Sequence, residues 1–253
     1  LAPGDCVRFR NAGKRAVKRA PRKTEAMAHA AVGLLVTRSD RPALYQDLGR
    51  PGHADQGVGE SGALDRTGLM EANLCVGNPE TTPALEVTFG GFALTADRSV
   101  TLAVAGAPAA LAIRRSDGKR QWAPFARPFA LDAGDELMLE TPPAGVRSYV
   151  ALRGGFDAAR VLGSASTDTL AKVGPAPVTQ GERLVPANAP AADMAPSPLR
   201  LRKLPRPGDV IVLDVVLGPR TDWFTDESVA LLFAQDWKVT AESSRVFSLP
   251  IIL

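Results

Sequence analysis

Five carboxylates occupy positions where acid–base chemistry could take place. Asp47, Asp65 and Glu86 lie in or directly after a glycine-rich stretch from 45 to 80 (YQDLGRPGHADQGVGESGALDRTGLMEANLCVGNPE), which holds seven glycines. Asp157 and Asp168 lie in a second polar segment further along the chain. A carboxylate buried beside another acid can act as a general base. Spacing alone leaves open which of the five meet.

The second polar segment spans 152–170, LRGGFDAARVLGSASTDTL. A Gly-Gly pair allows close approach of the backbone to a ligand, and an arginine beside it can grip a carboxylate or phosphate bidentately. A turn stabilised by local hydroxyl–backbone bonds explains the same composition. Both interpretations stay open for Arg153, Gly154, Gly155, Ser164, Ser166 and Thr167.

Other common site chemistries have little support in the sequence. The chain has two cysteines, Cys6 and Cys75, and two histidines, His29 and His53, with no C-x-x-C motif. A Cys/His zinc site and a Ser-His-Asp triad are therefore disfavoured, and we predict no metal site. The phosphate-binding pattern G-x-x-x-x-G-K-[ST] and the nucleophile pattern G-x-S-x-G are both absent. His53, on a glycine-rich loop, is expected to face solvent.

One helix is predicted inside the glycine-rich stretch. Asp65 suits the N-cap, Gly77 suits the position after the C-cap, and Pro79 blocks continuation. Leu69, Ala72, Asn73 and Val76 follow at helical spacing. Asn73 on the buried face must be hydrogen-bonded. We expect it to brace the glycine loop, with a ligand contact as the alternative.

Strands dominate the remaining chain. Val, Leu and Phe are dense in 32–38, 84–89, 99–106, 129–139 and 147–155. Asp117-Gly118 between polar arms predicts a hairpin, and DAGDEL at 132–137 predicts a second turn between strand arms. A short helix is expected behind Asp222 or Thr225. The pattern favours a mainly β (α+β) fold, closed or nearly closed, with one or two short helices.

Charge is unevenly distributed along the chain. Residues 10–23 carry seven basic groups and no acid, while the rest holds 23 bases against 27 acids. We interpret this basic segment as a solvated linker, with a patch for an acidic partner as the alternative. Nucleic-acid and membrane partners are not expected, because the excess of basic over acidic groups is confined to this segment and no apolar run reaches about 18 residues. The scarcity of cysteine fits a cytoplasmic protein.

Several motifs together resemble the carboxyltransferase-domain family. They are QDLGRPG, GVGESGALDRTGLMEANLCVGNP, ALEVTFGG, YVALRGGFDAARVLGSASTDTL, GPAPVTQGERL and GPRTDWF. The family includes the C-type subunit of the bacterial ATP-dependent 5-oxoprolinase, half of the corresponding domain of urea amidolyase, and KipA-type regulators. The first ten residues resemble the end of the B-type subunit, which is a partner in the same enzyme.

The resemblance implies two cyclophilin-like β-barrel halves, the second truncated. It gives these boundaries: 1–10, end of an upstream domain like the B-type subunit; 11–31, basic linker; 32–186, first half; 187–209, Pro/Ala-rich linker; and 210–253, incomplete start of the second half.

The implied activity is ATP-dependent opening of 5-oxoproline to glutamate, in complex with the A-type and B-type subunits and with ATP bound by the assembly; the fragment alone is expected to be inactive. The alternatives are a biotin-dependent carboxyltransferase domain, as in urea amidolyase, and a non-catalytic regulator. Asp47 and Asp65 then become the candidate catalytic residues. The candidates for binding substrate or nucleotide are Gln46, Arg50, Asn73, Arg153, Gly154, Gly155, Ser164, Ser166 and Thr167.

Overall fold

The computed structural model describes residues 33–196, 204–206, 208–212, 214–239 and 250–252. The predictions for 1–10 and 11–31 lie outside the described residues. The mainly β prediction is confirmed, since the described residues form thirteen strands and two α-helices, α1 (Arg66–Cys75) and α2 (Asp226–Ala234). The strands are β1 (Leu34–Ser39), β2 (Leu44–Gln46), β3 (Ala84–Thr88), β4 (Phe92–Ala96), β5 (Val100–Gly106), β6 (Leu111–Arg114), β7 (Arg120–Ala123), β8 (Phe129–Leu131), β9 (Glu136–Leu139), β10 (Arg147–Leu152), β11 (Arg183–Leu184), β12 (Trp237–Val239) and β13 (Pro250–Ile252).

Two antiparallel sheets enclose the main core. One has the order β11-β1-β4-β9-β6-β7 and the other the order β2-β3-β10-β5-β8, while β12 and β13 pair separately. Both sheets contribute to one buried cluster, which includes Leu94 and Leu137 from the first and Leu85, Leu102 and Val150 from the second. The five-stranded sheet also places the end of β2, and with it the candidate residues at 46–50.

Helix α1 packs on the outer face of the five-stranded sheet. Strand alternation directs Leu102 and Val104 into the main core, and directs Ala103 and Ala105 toward α1. Gly68 lies inside the helix because a Cβ there would come within 2.9 Å of the Gly106 Cα. Small residues on both surfaces therefore bring the helix close to the sheet.

The predicted ends of α1 are confirmed. The Asp65 side chain accepts a hydrogen bond from the Gly68 N–H at 3.0 Å, as an N-cap does. Gly77, just beyond the C-cap Val76, has φ of 72°, the left-handed conformation that commonly ends helices. The N-cap fixes where the glycine-rich loop enters the helix.

The two predicted turns differ in kind. Asp117 and Gly118 do connect β6 and β7 as a hairpin. The turn at 132–135 instead connects β8 to β9, and these strands belong to different sheets. It is therefore a corner between sheets, because β8 pairs with β5 whereas β9 pairs with β4 and β6.

The segment predicted as a linker from 187 begins by packing on the first half. The N–H groups of Ala187, Ala189 and Ala192 donate to the carbonyls of Gly155, Gly154 and Gly77 respectively, at 2.7–2.9 Å. Glycine makes this contact possible, because a Cβ on Gly77 would collide with the Ala192 carbonyl. Residues 187–192 thus form a strap, and the name is used below for this segment.

Thr225, one of the two predicted caps, begins α2 by accepting a hydrogen bond from the Ser228 N–H at 3.2 Å. The described residues between 208 and 218 include no strand. Apolar side chains are exposed on both segments: Val210, Val212, Val216, Leu231 and Phe233.

Candidate functional site: a buried polar network under three loops

Asp47 joins the two polar segments that the sequence singled out. It follows β2, is 3% exposed, and accepts hydrogen bonds from the hydroxyls of Ser164 and Ser166 at 2.6 Å each. The N–H groups of Gly49 and Ala165 donate to it at 2.8 and 2.7 Å. Its carboxylate therefore ties a loop at 47–49 to one 117 residues later.

The same hydrogen bonds keep Asp47 ionised. Burial alone would raise the pKa of this carboxyl, but the donors on Ser164, Ser166, Ala165 and Gly49 outweigh burial and hold the pKa below its usual range. A carboxylate with a lowered pKa and four donors is a weak proton acceptor. The geometry thus favours a bracing role for Asp47, and its catalytic role stays a prediction.

Arg50 is the centre of the network. It is 1% exposed and donates to the Ser61 hydroxyl at 3.1 Å, to the Val161 carbonyl at 3.3 Å, and to the Ser166 carbonyl. The Ser61 hydroxyl donates in turn to Asp168 at 2.8 Å. One guanidinium thus joins the glycine-rich loop to the loops at 160–164 and 168–173.

Asp168 completes this side of the network. Burial would raise its pKa, but the N–H groups of Ala171 and Leu170, the Ser61 hydroxyl and the nearby Arg50 charge lower it overall. Its carboxylate therefore stays charged while it caps the 168–173 turn. The sequence had named Asp168 among five carboxylates without assigning it a partner.

Gln46 and Thr167 meet beneath the network. The Gln46 side-chain N–H donates to the Thr167 carbonyl at 3.0 Å, and both residues are almost completely buried. The Gln46 Oε1 and the Thr167 hydroxyl have no hydrogen-bond partner among the residues that the structure describes. The other polar side chains of this network described above are hydrogen-bonded, whereas these two buried atoms are not.

A second buried network lies at the start of α1. Glu86, 1% exposed, accepts hydrogen bonds from the Tyr149 hydroxyl at 2.8 Å and from the Leu64 N–H at 3.0 Å. The Tyr149 hydroxyl also accepts the Asp65 N–H at 2.8 Å, and Arg147 lies 3.4 Å from Glu86. Burial, followed by the charge of Glu86, raises the pKa of Tyr149, so the phenol stays protonated.

Sequence reasoning missed Tyr149 and Arg147. The sequence did hold a signal for such partners. Glu86 is the single charged residue in the apolar segment ALEVTF, and a buried charge needs a partner. Asp65 lies beside this network, half-buried and engaged as the helix cap. The structure therefore assigns the two predicted catalytic carboxylates to different networks.

Asn73, Arg153, Gly154 and Gly155 gather at the other end of α1. Asn73 donates to the Thr82 carbonyl at 2.8 Å and accepts from the Asn78 amide at 3.2 Å. The expectation that it braces the glycine loop needs correction, because these bonds hold the turn after the helix. Asn78 also accepts from the Gly154 N–H at 2.9 Å, so the turn and the Gly-Gly pair are linked.

Arg153 binds backbone in this structure. Its guanidinium donates to the Val76 carbonyl at 2.8 Å and to the Ala192 carbonyl at 2.9 Å. A cation is favourable at the C-terminal end of a helix, where unpaired carbonyls converge. The geometry favours a clamp that fastens the strap to α1, and ligand binding by Arg153 stays a prediction.

Other candidate features lie apart from these networks. Asp157 is exposed, and His53 is half-buried with its Nδ1 3.3 Å from the Gln56 amide nitrogen. The described residues include no cluster of three His, Cys, Asp or Glu that could hold a metal ion.

A groove of about 660 Å³ is lined by Pro108, Pro143, Ala144 and residues of 204–211, and includes none of the predicted site residues. None of the helices that the structure describes is long and apolar enough to cross a bilayer.

Two antiparallel sheets, with polar networks that hold the loops at their edges, define a mainly β domain. Residues 56–247 match the family model described as carboxyltransferase domain, subdomain A and B. This match covers most of the chain, so the chain belongs to the carboxyltransferase-domain family, as the motifs predicted.

Known proteins similar to this chain fall into two groups. It is 30% identical over 223 residues to the C-type subunit of the 5-oxoprolinase of Escherichia coli, an alignment that covers 84% of this chain and 66% of that protein. It is 31% identical over 207 residues to the urea amidolyase of Saccharomyces cerevisiae, covering 78% of this chain and 11% of that protein. The chain therefore spans just under two thirds of one relative and a small part of the other.

Solved structures show the same likeness. The crystal structure of the Kluyveromyces lactis urea amidolyase superposes with a TM-score of 0.73 at 26% identity, covering 89% of this chain and 14% of that one. The urea carboxylase of the same organism gives the same TM-score and identity, with 21% of its chain covered. The described fold is thus that of the family.

Proposed function

We propose that this chain acts as the C-type subunit of an ATP-dependent 5-oxoprolinase-type hydrolase, which opens the lactam of 5-oxoproline to glutamate together with the A-type and B-type subunits. The observation that carries the proposal is the alignment with the C-type subunit of the E. coli 5-oxoprolinase, which includes 84% of this chain and 66% of that protein. The corresponding alignments with urea amidolyase reach only 11% of that longer protein.

Lactam opening adds water to a planar amide and needs a base that is accessible to the substrate. Of the two predicted catalytic carboxylates, Asp65 is half-buried whereas Asp47 is 3% exposed and accepts four hydrogen bonds. We assign the base to Asp65. In this proposal Asp47 and Arg50 act as positioning residues that hold the loops at 51–60, 160–164 and 168–173.

The serine hydroxyls of the network do not fit the phosphates of ATP. The Ser164 and Ser166 hydroxyls, the best candidates for a phosphate, both donate to the buried Asp47 carboxylate. A phosphate in their place would meet that negative charge, and the unpartnered atoms of Gln46 and Thr167 are buried beneath it. We therefore assign ATP binding to another member of the assembly, and no step of this chain involves it.

A carboxyltransferase role is the second candidate function. It is favoured by the TM-score of 0.73 with the K. lactis urea amidolyase. In that role, biotin would be presented by another domain. The substrate would then be a small amide that receives the carboxyl group, so both functions place an amide in the site.

The deciding experiment combines the full chain with the A-type and B-type subunits of the same organism and measures glutamate formed from 5-oxoproline and ATP. Glutamate formation that requires this chain supports the first function. In a parallel assay with carboxybiotin as the donor, transfer of its carboxyl group to urea, together with no glutamate formation in the first assay, would establish the second candidate instead.

Asp65→Asn isolates the role of the Asp65 charge. Asparagine is as good an N-cap as aspartate, so the start of α1 is preserved. We expect the melting temperature to change little and turnover to fall about a hundredfold, the size of a general-base contribution. If the turnover of the variant stays within twofold of the wild type, Asp65 is not the base. The proposal that 5-oxoproline is the substrate is unaffected by that result.

A further inference from the structure

The five-stranded sheet presents small apolar residues to most of α1 and larger polar residues to the start of the helix. Alanines from β3, β5 and β10 pack against α1 in one buried cluster: Ala84, Ala103, Ala105 and Ala151. Strand alternation places Glu86, Arg147 and Tyr149 on the same face. A buried ion pair is weak evidence for stability, because apolar residues of similar volume often serve as well. Stability of the sheet alone therefore does not account for these three residues.

Tyr149 contacts the first turn of α1 through both its ring and its hydroxyl. The ring carbon Cδ2 lies 3.1 Å from the position that a Cβ on Gly68 would take, so glycine makes room for the ring. The hydroxyl accepts the Asp65 N–H and donates to Glu86, at 2.8 Å in each case. A protonated phenol can make both bonds at once. Tyr149 thus connects the backbone of Asp65 to a buried carboxylate.

Asp65 is held from the sheet and from the helix together. On the sheet side, Glu86 also accepts the Leu64 N–H at 3.0 Å, so two successive backbone groups are fixed. On the helix side, the Asp65 carboxylate accepts the Gly68 N–H at 3.0 Å. The residue is nevertheless half-buried rather than buried, and its neighbour Leu64 is 56% exposed. The network therefore fixes the direction of a carboxylate that solvent can reach.

We propose that Tyr149 and Glu86 are positioning residues, which hold the Asp65 carboxylate in the direction that lactam opening requires. This inference rests on the proposed function, in which Asp65 is the general base. A general base must lie within hydrogen-bond reach of the proton that it removes. Misplacement of a reacting group by about 1 Å can cost about a hundredfold in rate. Both residues act through Asp65, so neither needs to touch the substrate.

The test compares Tyr149→Phe in the wild-type chain and in a chain that already carries Asp65→Asn. Each full chain is combined with the A-type and B-type subunits of the same organism. Phenylalanine keeps the ring and removes the hydroxyl that links Asp65 to Glu86. We expect kcat to fall at least tenfold in the wild-type background, with KM within about threefold, and to change less than twofold beside Asp65→Asn. A purely structural role would lower kcat by the same factor in both backgrounds.

Ser148→Ala is the matched control. Ser148 precedes Tyr149 in β10 and is buried, and its hydroxyl donates to the Ala107 carbonyl at 2.9 Å. Strand alternation directs it to the other face of the sheet. Its loss should lower the melting temperature while kcat stays within twofold of the wild type.

Two further measurements keep the proposal testable if Tyr149→Phe folds poorly. Glu86→Gln keeps the size of the side chain but turns an N–H₂ group toward the Tyr149 or Leu64 donor, and it should give the same pattern in both backgrounds. Amide hydrogen exchange on the chain alone needs no activity. Exchange of the Asp65 N–H should be at least tenfold faster in Glu86→Gln and Tyr149→Phe than in the wild type, and unchanged in Ser148→Ala.

The outcomes separate this inference from the proposed function. Equal falls in kcat in the two backgrounds, or unchanged exchange of the Asp65 N–H, would refute the positioning role while the proposed function stands. If Asp65→Asn itself leaves turnover within twofold of the wild type, the inference is wrong, but the substrate assignment is unaffected. An assembly that forms no glutamate would overturn both.

Discussion

Replacing Asp47 by asparagine should destabilise the fold strongly. Asparagine can keep one acceptor oxygen for Ser164, Ser166 and Gly49, but its NH₂ group would face the Ala165 N–H that now donates at 2.7 Å. An unsatisfied buried donor costs about 1–3 kcal/mol. Loss of the charge weakens the three remaining bonds by roughly half, about 0.5 kcal/mol each. The sum is about 2.5–4.5 kcal/mol.

That loss corresponds to a fall in melting temperature of about 10 °C, at roughly 2–4 °C per kcal/mol for a domain of this size. Thermal and urea melts of both proteins measure it. Asp132→Asn is the control, because the Asp132 side chain is 61% exposed and its change should stay within about 0.5 kcal/mol.

The pH dependence gives an independent check. The folded-state pKa of Asp47 is lowered, so its stabilisation is fully present above the unfolded-state pKa and is lost as pH falls through the folded-state pKa. The difference between wild type and Asp47→Asn should therefore be largest near neutral pH and shrink below about pH 4. A variant that melts within 2 °C of the wild type at pH 7, as about 0.5 kcal/mol would give, refutes the bracing role.

Three further changes test the surrounding contacts. Arg153→Ala should raise amide hydrogen exchange in the strap at 187–192, because it removes the bond to the Ala192 carbonyl; unchanged exchange would count against the clamp. Thr167→Val should leave the melting temperature unchanged or higher, since its hydroxyl has no partner among the described residues, whereas Ser166→Ala should cost about 1.5–3 kcal/mol in urea melts. Gly77→Ala should lower the melting temperature, because φ of 72° and the approach of the strap both exclude a Cβ.

Local signals in the sequence were enough to predict several elements. Asp65 and Gly77 marked both ends of α1 because capping depends on residues within one helical turn. Asp117-Gly118 marked the β6–β7 hairpin for the same reason, since the turn and its flanking strands are contiguous. The turn at 132–135 shows the limit, because the chain on either side pairs with strands that are distant in sequence.

The networks could not be read from spacing. Asp47 meets Ser164 across 117 residues, and Glu86 meets Tyr149 across 63. Such contacts depend on sheet order, which residue types do not encode locally. Composition did identify both polar segments, but it left open whether Arg153 and the serines face a ligand or the backbone. In the structure Arg153 donates to backbone carbonyls and the serines donate to Asp47, while ligand binding by these residues stays a prediction.

Strained backbone is concentrated in the loops that the Asp47–Arg50 network holds, and this indicates that the network stabilises those loops. Ser61, Leu162 and Lys172 all have positive φ, and each lies in a segment that Arg50 or Asp168 binds. Left-handed backbone costs a residue with a side chain about 1–2 kcal/mol. Three such positions would favour relaxation of the loops unless the buried charges held them. The loop at 51–60 contains no buried residue, so what holds it is the network at its two ends, where Arg50 donates to the Ser61 hydroxyl.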